Sequence, residues 1–419
     1  MSYEIINSDC LKAMQKMPDG SVAAIVTDPP YGLAFMGANW DHNVPSVSYW
    51  SECLRVAKSG AHLLCFGGTR TFHRMTCAIE DAGWEIRDTI MWVYGSGFPK
   101  SMDVGKAIDK VRGKSENFQR MYAKAVKDSR MSHAEIDREL GIKSSSCYWV
   151  RTDERKSFPT RENWEKLKHI LPFPDNADEI YDEAERLDRV VGRYGDNSIY
   201  DKSKSVLDAG TPITQQAKQW DGWGTCLKPA WEPIIVARKP LDGTVAHNVM
   251  TYGTGAINID GCRVGTETMV NRPAGNKAGG NSLNMSKYGM PQDAEPTTAT
   301  GRFPANLVHD GSQEVLELIG DAQRFFYCAK ASKRDRGEGN DHPTVKPNAL
   351  MRWLVRLVCP QGGTVLDPFM GSGSTGVACI QEGMRFVGID MDEHYCEIAE
   401  KRIGAEPDTV FAGALWASM

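Results

Sequence analysis

No apolar run in this 419-residue chain approaches the roughly 18 residues that a membrane-spanning helix needs, so no membrane association is expected. The opening MSYEIINSD has no basic region followed by an apolar one, which argues against a secretory signal. Zinc spacing is missing too. No C-x-x-C pair occurs and no Cys and His residues cluster as ligands, so no metal is expected. The eleven cysteines are odd in number and scattered. Cys53, Cys65, Cys77 and Cys379 lie in apolar or helical surroundings, the pattern of reduced, mostly buried thiols in a cytoplasmic protein. Charge of one sign is not in excess either. The 49 basic and 54 acidic side chains leave a formal charge of -5, which excludes a polybasic binder but not a local basic surface.

What is present suits a globular protein of more than one domain, with 41% hydrophobic and 25% charged residues. The start alternates quickly: YEII reads as a strand, DCLKAMQKM as a helix, and VAAIV as a buried strand ending at TDPPYG. SYWSECLRVA and TRTFHRMTCAIEDAG read as helices, AHLLCF and WEIRDTIMWVY as strands. The same texture returns near the end, with HPTVKPNALMRWLVRLV (a proline near its start), STGVACIQEG and DEHYCEIAEKRI as helices and GGTVLD and MRFVGID as strands. Strands alternating with helices imply a mainly parallel α/β sheet. Neither block is large enough alone, so one sheet built from both chain ends is expected, with the middle added to it.

Between the blocks the composition shifts toward Lys, Arg, Ser and Asp with helical pieces, and residues 264–300 offer few groups that could pack a core. The expected division is 1–100 and 301–405 as two halves of one α/β domain, 101–219 as a helical insert, and 220–263 as the return to the core. Residues 264–300 are expected to be a long flexible loop and 406–419 a tail.

In VLDPFMGSGSTGVACIQEGMRFVGID, Asp367 ends a strand, Gly371 and Gly373 sit in the following turn, and a second strand ends at Asp390. Glycines let the backbone approach a ligand or adopt positive φ, and an acid closing the second strand can accept from ribose hydroxyls. No Gly-Lys-Ser/Thr follows, and no Lys or Arg lies between 367 and 384, so this is not a phosphate loop. Asp367 would repel a phosphate and suits a cationic nucleoside with an amino-acid tail.

The corner TDPPYG offers different chemistry. Two prolines fix φ and remove two N–H donors, leaving carbonyls and the Asp28 carboxylate free to accept. Tyr31 presents a flat face on which a base can stack. Together they can hold an exocyclic amino group by its hydrogens and leave its lone pair free. The alternative is a rigid turn without a ligand.

DPPY followed far downstream by DPFMGSG resembles the DNA amino-methyltransferases that use S-adenosylmethionine (SAM) and modify adenine N6 or cytosine N4. The order, catalytic corner first and cofactor turn last, is similar to the permuted beta group, phage and prophage DNA methylases included. The resemblance covers roughly residues 3–100 and 305–403. It implies an α/β, Rossmann-like methyltransferase fold with a largely helical central insert, and direct methyl transfer to a flipped base. By that resemblance Asp28, Pro29, Pro30 and Tyr31 form the catalytic loop. Asp367, Phe369, Gly371 and Gly373 surround the methionine part of the cofactor, and Asp390 meets its ribose. HPTVKP, residues 342–347, resembles a segment that closes over the cofactor, which adds Thr344 and Lys346, although Lys346 also reads as an ordinary surface lysine. Asp9 looks like a contact to the cofactor adenine, or else a helix cap.

Aspartate heading the corner is commoner among adenine modifiers and serine among cytosine-N4 modifiers, which points to adenine N6. Relatives acting on RNA amines or glutamine amides usually carry asparagine there. Double-stranded DNA is the implied partner, with room for a homodimer and for a separate cognate restriction endonuclease. A segment outside the sheet must read the DNA. SHAEIDRELGIKSSSCYWV, residues 132–150, has helix–turn–helix spacing, with Ser144, Ser145, Arg151, Arg155 and Lys156 as candidate contacts. A helical insert that packs on the catalytic domain and a subunit contact are the other readings of this stretch.

Overall fold

The computed structural model describes residues 2–33, 41–97, 101–112, 116–151, 157–182, 184, 212, 215–271, 297–329 and 335–407. Two compact units form: Met1–Gly97 with Ala230–Met419, and Phe98–Pro229. Residues 220–229, expected in the core, therefore group with the insert.

The first unit is built on a sheet of nine strands among the described residues. These are β1 (Tyr3–Asn7), β2 (Val22–Thr27), β3 (Ala57–Phe66), β4 (Glu85–Val93), β5 (Trp231–Arg238), β8 (Leu307–His309), β9 (Tyr327–Cys328), β10 (Thr364–Asp367) and β11 (Arg385–Asp390). Two further strands, β6 (Val264–Asn271) and β7 (Thr297–Arg302), pair separately. The spatial order is β1-β11-β10-β2-β3-β5-β4-β8-β9. Only β5 runs antiparallel to its neighbours; every other pair in this sheet is parallel. The sheet thus joins strands from both chain ends, as the sequence pattern implied.

Burial explains why β2, β3 and β5 read as unbroken apolar runs. Ala24, Val26, Leu64, Phe66, Ile234 and Val236 face one layer, which contains helices Asn348–Val358 and Ser374–Gln381. Ile25, Leu63, Cys65, Ile235 and Ala237 face the other, packed by helices Cys10–Met14, Val47–Val56 and Phe72–Asp81. Side chains alternate across a strand, and both faces here are covered. Of the cysteines, Cys53, Cys65 and Cys379 are buried and free, while Cys77 is free but exposed on its helix.

The expected loop over 264–300 is not all loop. Its ends are strands β6 and β7, paired from Val264↔Arg302 to Asn271↔Thr297. The Thr- and Val-containing ends have β propensity without needing a core, because a two-stranded ribbon buries little. Residues 272–296, the middle of that stretch, lie outside the described residues.

The second unit leaves the sheet at a hairpin. β4 and β5 pair antiparallel up to Val93↔Trp231, and the Tyr94 N–H donates to the Ala230 carbonyl at 2.9 Å. This unit packs helices around Phe118, Tyr122, Trp164 and Tyr181, with the Trp164 and Tyr181 rings stacked at 4.7 Å. Helix His133–Leu140 begins at a capping box between Ser132 and Glu135 and ends at Gly141, φ 68°. The helix–turn–helix spacing implies a second helix after Gly141, but among the described residues no α-helix begins at Ser144–Ser146. Ser144 has φ 46°, and only a three-residue 3-10 turn, Ser146–Tyr148, follows. Serines compete for backbone hydrogen bonds: Ser145 Oγ donates to the Lys143 carbonyl, and Asp137 Oδ1 accepts from the Ser146 N–H. The next helix is Arg161–Ile170.

Candidate active site

Strands β2 and β10 lie side by side, parallel, where the strand order reverses, so their carboxyl ends open into a topological switch point. Asp28 follows the end of β2 and Asp367 is the last residue of β10. The ends are stitched together: Thr27 Oγ1 donates to Asp367 Oδ1 at 2.7 Å. Asp367 is buried and also accepts from Thr375 Oγ1 at 2.6 Å and the Phe369 N–H at 3.1 Å. Burial outweighs these bonds and pushes its carboxyl up to about 6.

The glycine turn has the backbone its sequence implies. Gly371 and Gly373 take φ of 52° and 81°, and Gly373 caps the Ser374–Gln381 helix. A Cβ at Gly373 would stand 2.8 Å from Ala399 Cβ, and one at Gly371 would stand 2.8 Å from His342 Nε2. Asp390, ending β11, accepts from the Gly371 N–H through Oδ2 at 2.8 Å and from the Asp392 N–H through Oδ1 at 2.9 Å. A carboxylate has about four acceptor positions, so two remain for a ligand. Burial raises the Asp390 carboxyl above its ordinary range. The Phe369 ring lies 6.1 Å from Tyr49 and 6.4 Å from Trp50. Two acids, glycines and no cation between 367 and 384 fit the cationic nucleoside that the resemblance implies.

Asp9 caps a helix, accepting from the Lys12 N–H at 3.0 Å. It follows β1, whose Asn7 pairs with Asp390, so it also lies at this sheet end. Thr344 is exposed, and its N–H donates to His342 Nδ1 at 3.3 Å. Burial lowers the His342 pKa against the pull of Asp28 and Asp390, which keeps the ring neutral near pH 7.

Lys346, expected beside the cofactor, instead puts its ammonium in the catalytic corner. Nζ is 2.9 Å from Asp28 Oδ2, 3.0 Å from Glu232 Oε2 and 3.1 Å from the Tyr31 hydroxyl. Its three N–H donors thus meet three acceptors. Burial alone would lower its pKa, yet Asp28 and Glu232 together hold it above the ordinary lysine range. Nζ also lies 4.8 Å from the Phe66 ring centroid and 5.5 Å from that of Tyr31. Because Lys346 belongs to HPTVKP, the same segment that covers Gly371 with His342 also reaches Asp28.

The Tyr31 hydroxyl donates to Asp28 Oδ1 at 2.6 Å, and burial followed by the charges of Asp28 and Glu232 raises its pKa strongly. Pro29 is buried and Pro30 half-buried. Asp41 locks the corner, accepting from the Gly32 N–H at 2.8 Å and the Leu33 N–H at 3.2 Å. Sequence reasoning missed Asp41 and Glu232. Asp41 follows the corner by nine residues with no motif around it. Glu232 reaches the site because β5 is antiparallel, so the start of that strand lies at the carboxyl ends of the others.

Of the DNA-contact candidates, Ser144, Ser145 and Arg151 lie in the second unit around the 3-10 turn. Arg155 and Lys156 lie outside the described residues. Among the described residues no group of three His, Cys, Asp or Glu could hold a metal, and no helix is long and apolar enough to cross a membrane.

A mainly parallel α/β sheet with its functional turns at a switch point defines a Rossmann-like methyltransferase architecture. The chain belongs to the DNA methylase family (N6_N4_Mtase), whose model matches residues 22–401. It is 37% identical over 103 residues to the type II methyltransferase M2.DpnII of Streptococcus pneumoniae, a match covering 24% of this chain and 38% of that protein. To the type II methyltransferase M.ScaI of Streptomyces caespitosus it is 34% identical over 91 residues, covering 22% of this chain and 30% of that one. The chain thus spans well under half the length of these curated relatives. Among solved structures, the M1.HpyAVI–SAM complex overlaps 96% of this chain and 99% of its own, with 15% identity and a TM-score of 0.38.

Proposed function

We propose that this protein transfers a methyl group from SAM to the exocyclic amino group of a base in double-stranded DNA, and that the base is adenine, methylated at N6. One observation carries the reading: the amine-binding corner and the glycine turn end adjacent parallel strands and are joined by the Thr27–Asp367 hydrogen bond.

On this reading Gly371, Gly373, Phe369, Asp367, Asp390, Asp9 and Thr344 hold the cofactor, which supplies an activated methyl group when bound. Asp28 and the carbonyls left free by Pro29 and Pro30 take the hydrogens of the target amine. An amine conjugated to a ring is a poor nucleophile, and acceptors that draw on its N–H bonds as it becomes cationic help specifically in the transition state. Tyr31, fixed by Asp28 and Lys346, offers the base a stacking face. Such a corner needs the base out of the duplex. We assign DNA reading to the second unit, with Ser144, Ser145, Arg151, Arg155 and Lys156 as contacts.

Asp28 at the head of the corner supports adenine. Cytosine N4 is the second reading, favoured by the matched family, whose name covers both N6 and N4 methylation. Both bases present the same conjugated amine. Methylome sequencing of DNA from cells expressing the protein tests all of this together. Modified adenine at one sequence is the expected result. N4-methylcytosine would select the second reading, and no modified base would overturn both.

A further inference from the structure

Asp28, Tyr31, Glu232 and Lys346 form a network of which the motifs name only three, and the Tyr94 side chain joins it through a hydrogen bond to Glu232. Glu232 is the fourth, the second residue of β5, the strand that follows the insert in the chain. It does not touch Asp28 in any contact the structure records. It meets Lys346 at 3.0 Å and stands 3.3 Å from the Tyr31 hydroxyl. The Lys346 side chain is 9% exposed, whereas the Asp28 and Glu232 side chains are each 22% exposed. The cation therefore lies underneath, and the two carboxylates flank it on the more open side.

Charge counting shows what this arrangement does. An ammonium paired with Asp28 alone would make a neutral pair, and its attraction would oppose any use of Asp28 as an acceptor. With Glu232 added, two negative charges and one positive leave a net charge of one negative. On methyl transfer the target nitrogen uses its lone pair to bond the methyl carbon while the carbon–sulfur bond breaks and its electron pair stays on sulfur. Positive charge passes from sulfur to nitrogen, and one N–H proton then leaves to an acceptor and finally to water. A site with a fixed surplus negative charge stabilises that nitrogen as its charge develops.

We propose that Glu232 is a positioning residue for this reaction: it shares the Lys346 ammonium with Asp28 and gives the corner its net negative charge. The proposal rests on the reading of the corner as an amine clamp given above. Glu232 acts through Lys346 and Tyr31 and is not assigned contact with the base.

The test compares wild type with Glu232→Gln, which keeps shape and removes charge, in single-turnover transfer of labelled methyl to DNA. Glu232→Gln should lose about 10²-fold in rate, with affinities for SAM and DNA within about twofold of wild type. Glu232→Asp should recover at least about tenfold of that loss. The readout independent of turnover is the Lys346 side-chain nitrogen, followed by NMR in lysine-labelled protein and assigned with Lys346→Arg. In wild type it should keep its proton past the range of free lysine, and in Glu232→Gln it should release it at lower pH. A Lys346 that titrates like free lysine in the wild type overturns the proposal whether or not the variants fold. So does Glu232→Gln transferring at the wild-type rate, or losing SAM affinity as much as rate. Wild-type protein that methylates no DNA overturns the clamp reading itself, an outcome distinct from an active wild type with an equally active variant.

Discussion

Thr27 Oγ1 donates a 2.7 Å hydrogen bond to Asp367 Oδ1, joining residues 340 positions apart. Both groups are buried, and the bond ties the last residue of β2 to the last residue of β10. The corner and the glycine turn are therefore anchored to each other at the strand ends, and on the proposed reading this fixes the separation of methyl donor and amine.

Replacing Thr27 by valine tests the tie. The change keeps the β-branched shape and leaves an Asp367 oxygen with one partner fewer in a buried place. We expect a loss of about 1–3 kcal/mol in unfolding free energy, read by denaturant titration. Asp367 should also titrate higher than in the wild type, because one of the bonds that favour its ionised form is gone.

Asp28→Ala should abolish methyl transfer while leaving SAM binding nearly intact, since Asp28 lies in the corner and not in the glycine turn. The expected loss of single-turnover rate is at least about 10²-fold. Calorimetry should find the SAM dissociation constant within about threefold of wild type. Unchanged turnover would remove Asp28 from the clamp.

The pH dependence follows from Asp367. Burial pushes its folded-state carboxyl up to about 6, above its ordinary 3.8, so the folded chain holds this proton more tightly than the unfolded one. The associated stability is fully present below pH 4 and is lost as pH rises through 6, by an amount on the order of 3 kcal/mol. Asp367→Asn should flatten that part of the stability curve. A cationic ligand prefers the ionised acid, so SAM affinity should run the opposite way. It should strengthen from pH 5 to 7 in the wild type and stay level in Asp367→Asn.

Gly373→Ala should destabilise the fold by roughly 2–4 kcal/mol, combining left-handed strain with an overpacked contact. The residue has φ 81°, and the new Cβ would meet Ala399 at both Cβ and Cα, which a side-chain rotation cannot relieve. Thermal unfolding measures this directly, and a wild-type midpoint would show that the turn relaxes freely.

Much of this was legible in the sequence because it is local. Apolar runs buried on both faces marked β2 and β3, and the paired DPPY and DPFMGSG motifs marked two strand ends that a parallel sheet brings together. Lys346 was found by motif, but its contacts with Asp28 and Glu232 were not legible, because a side chain of that length can turn to either loop and only the carboxylates around it decide. Glu232 had no local signal at all. Its role depends on the direction of β5, which is set by pairing across an insert of well over 100 residues. The stretch after Gly141 misled in another way. Its apolar spacing fits a second helix, but the side chains of Ser145, Ser146 and Asp137 offer the backbone other partners, and a short 3-10 turn results.

The hydrogen bond between Tyr94 and Ala230 has a consequence for how such a chain can change. The second unit departs and returns at neighbouring points of one hairpin, so whatever lies between them closes a loop whose ends are already fixed. Closure costs grow only slowly with loop length, and the register of the sheet is indifferent to the contents. Residues 98–229 thus form an insertion whose contents can change without shifting the register of the sheet.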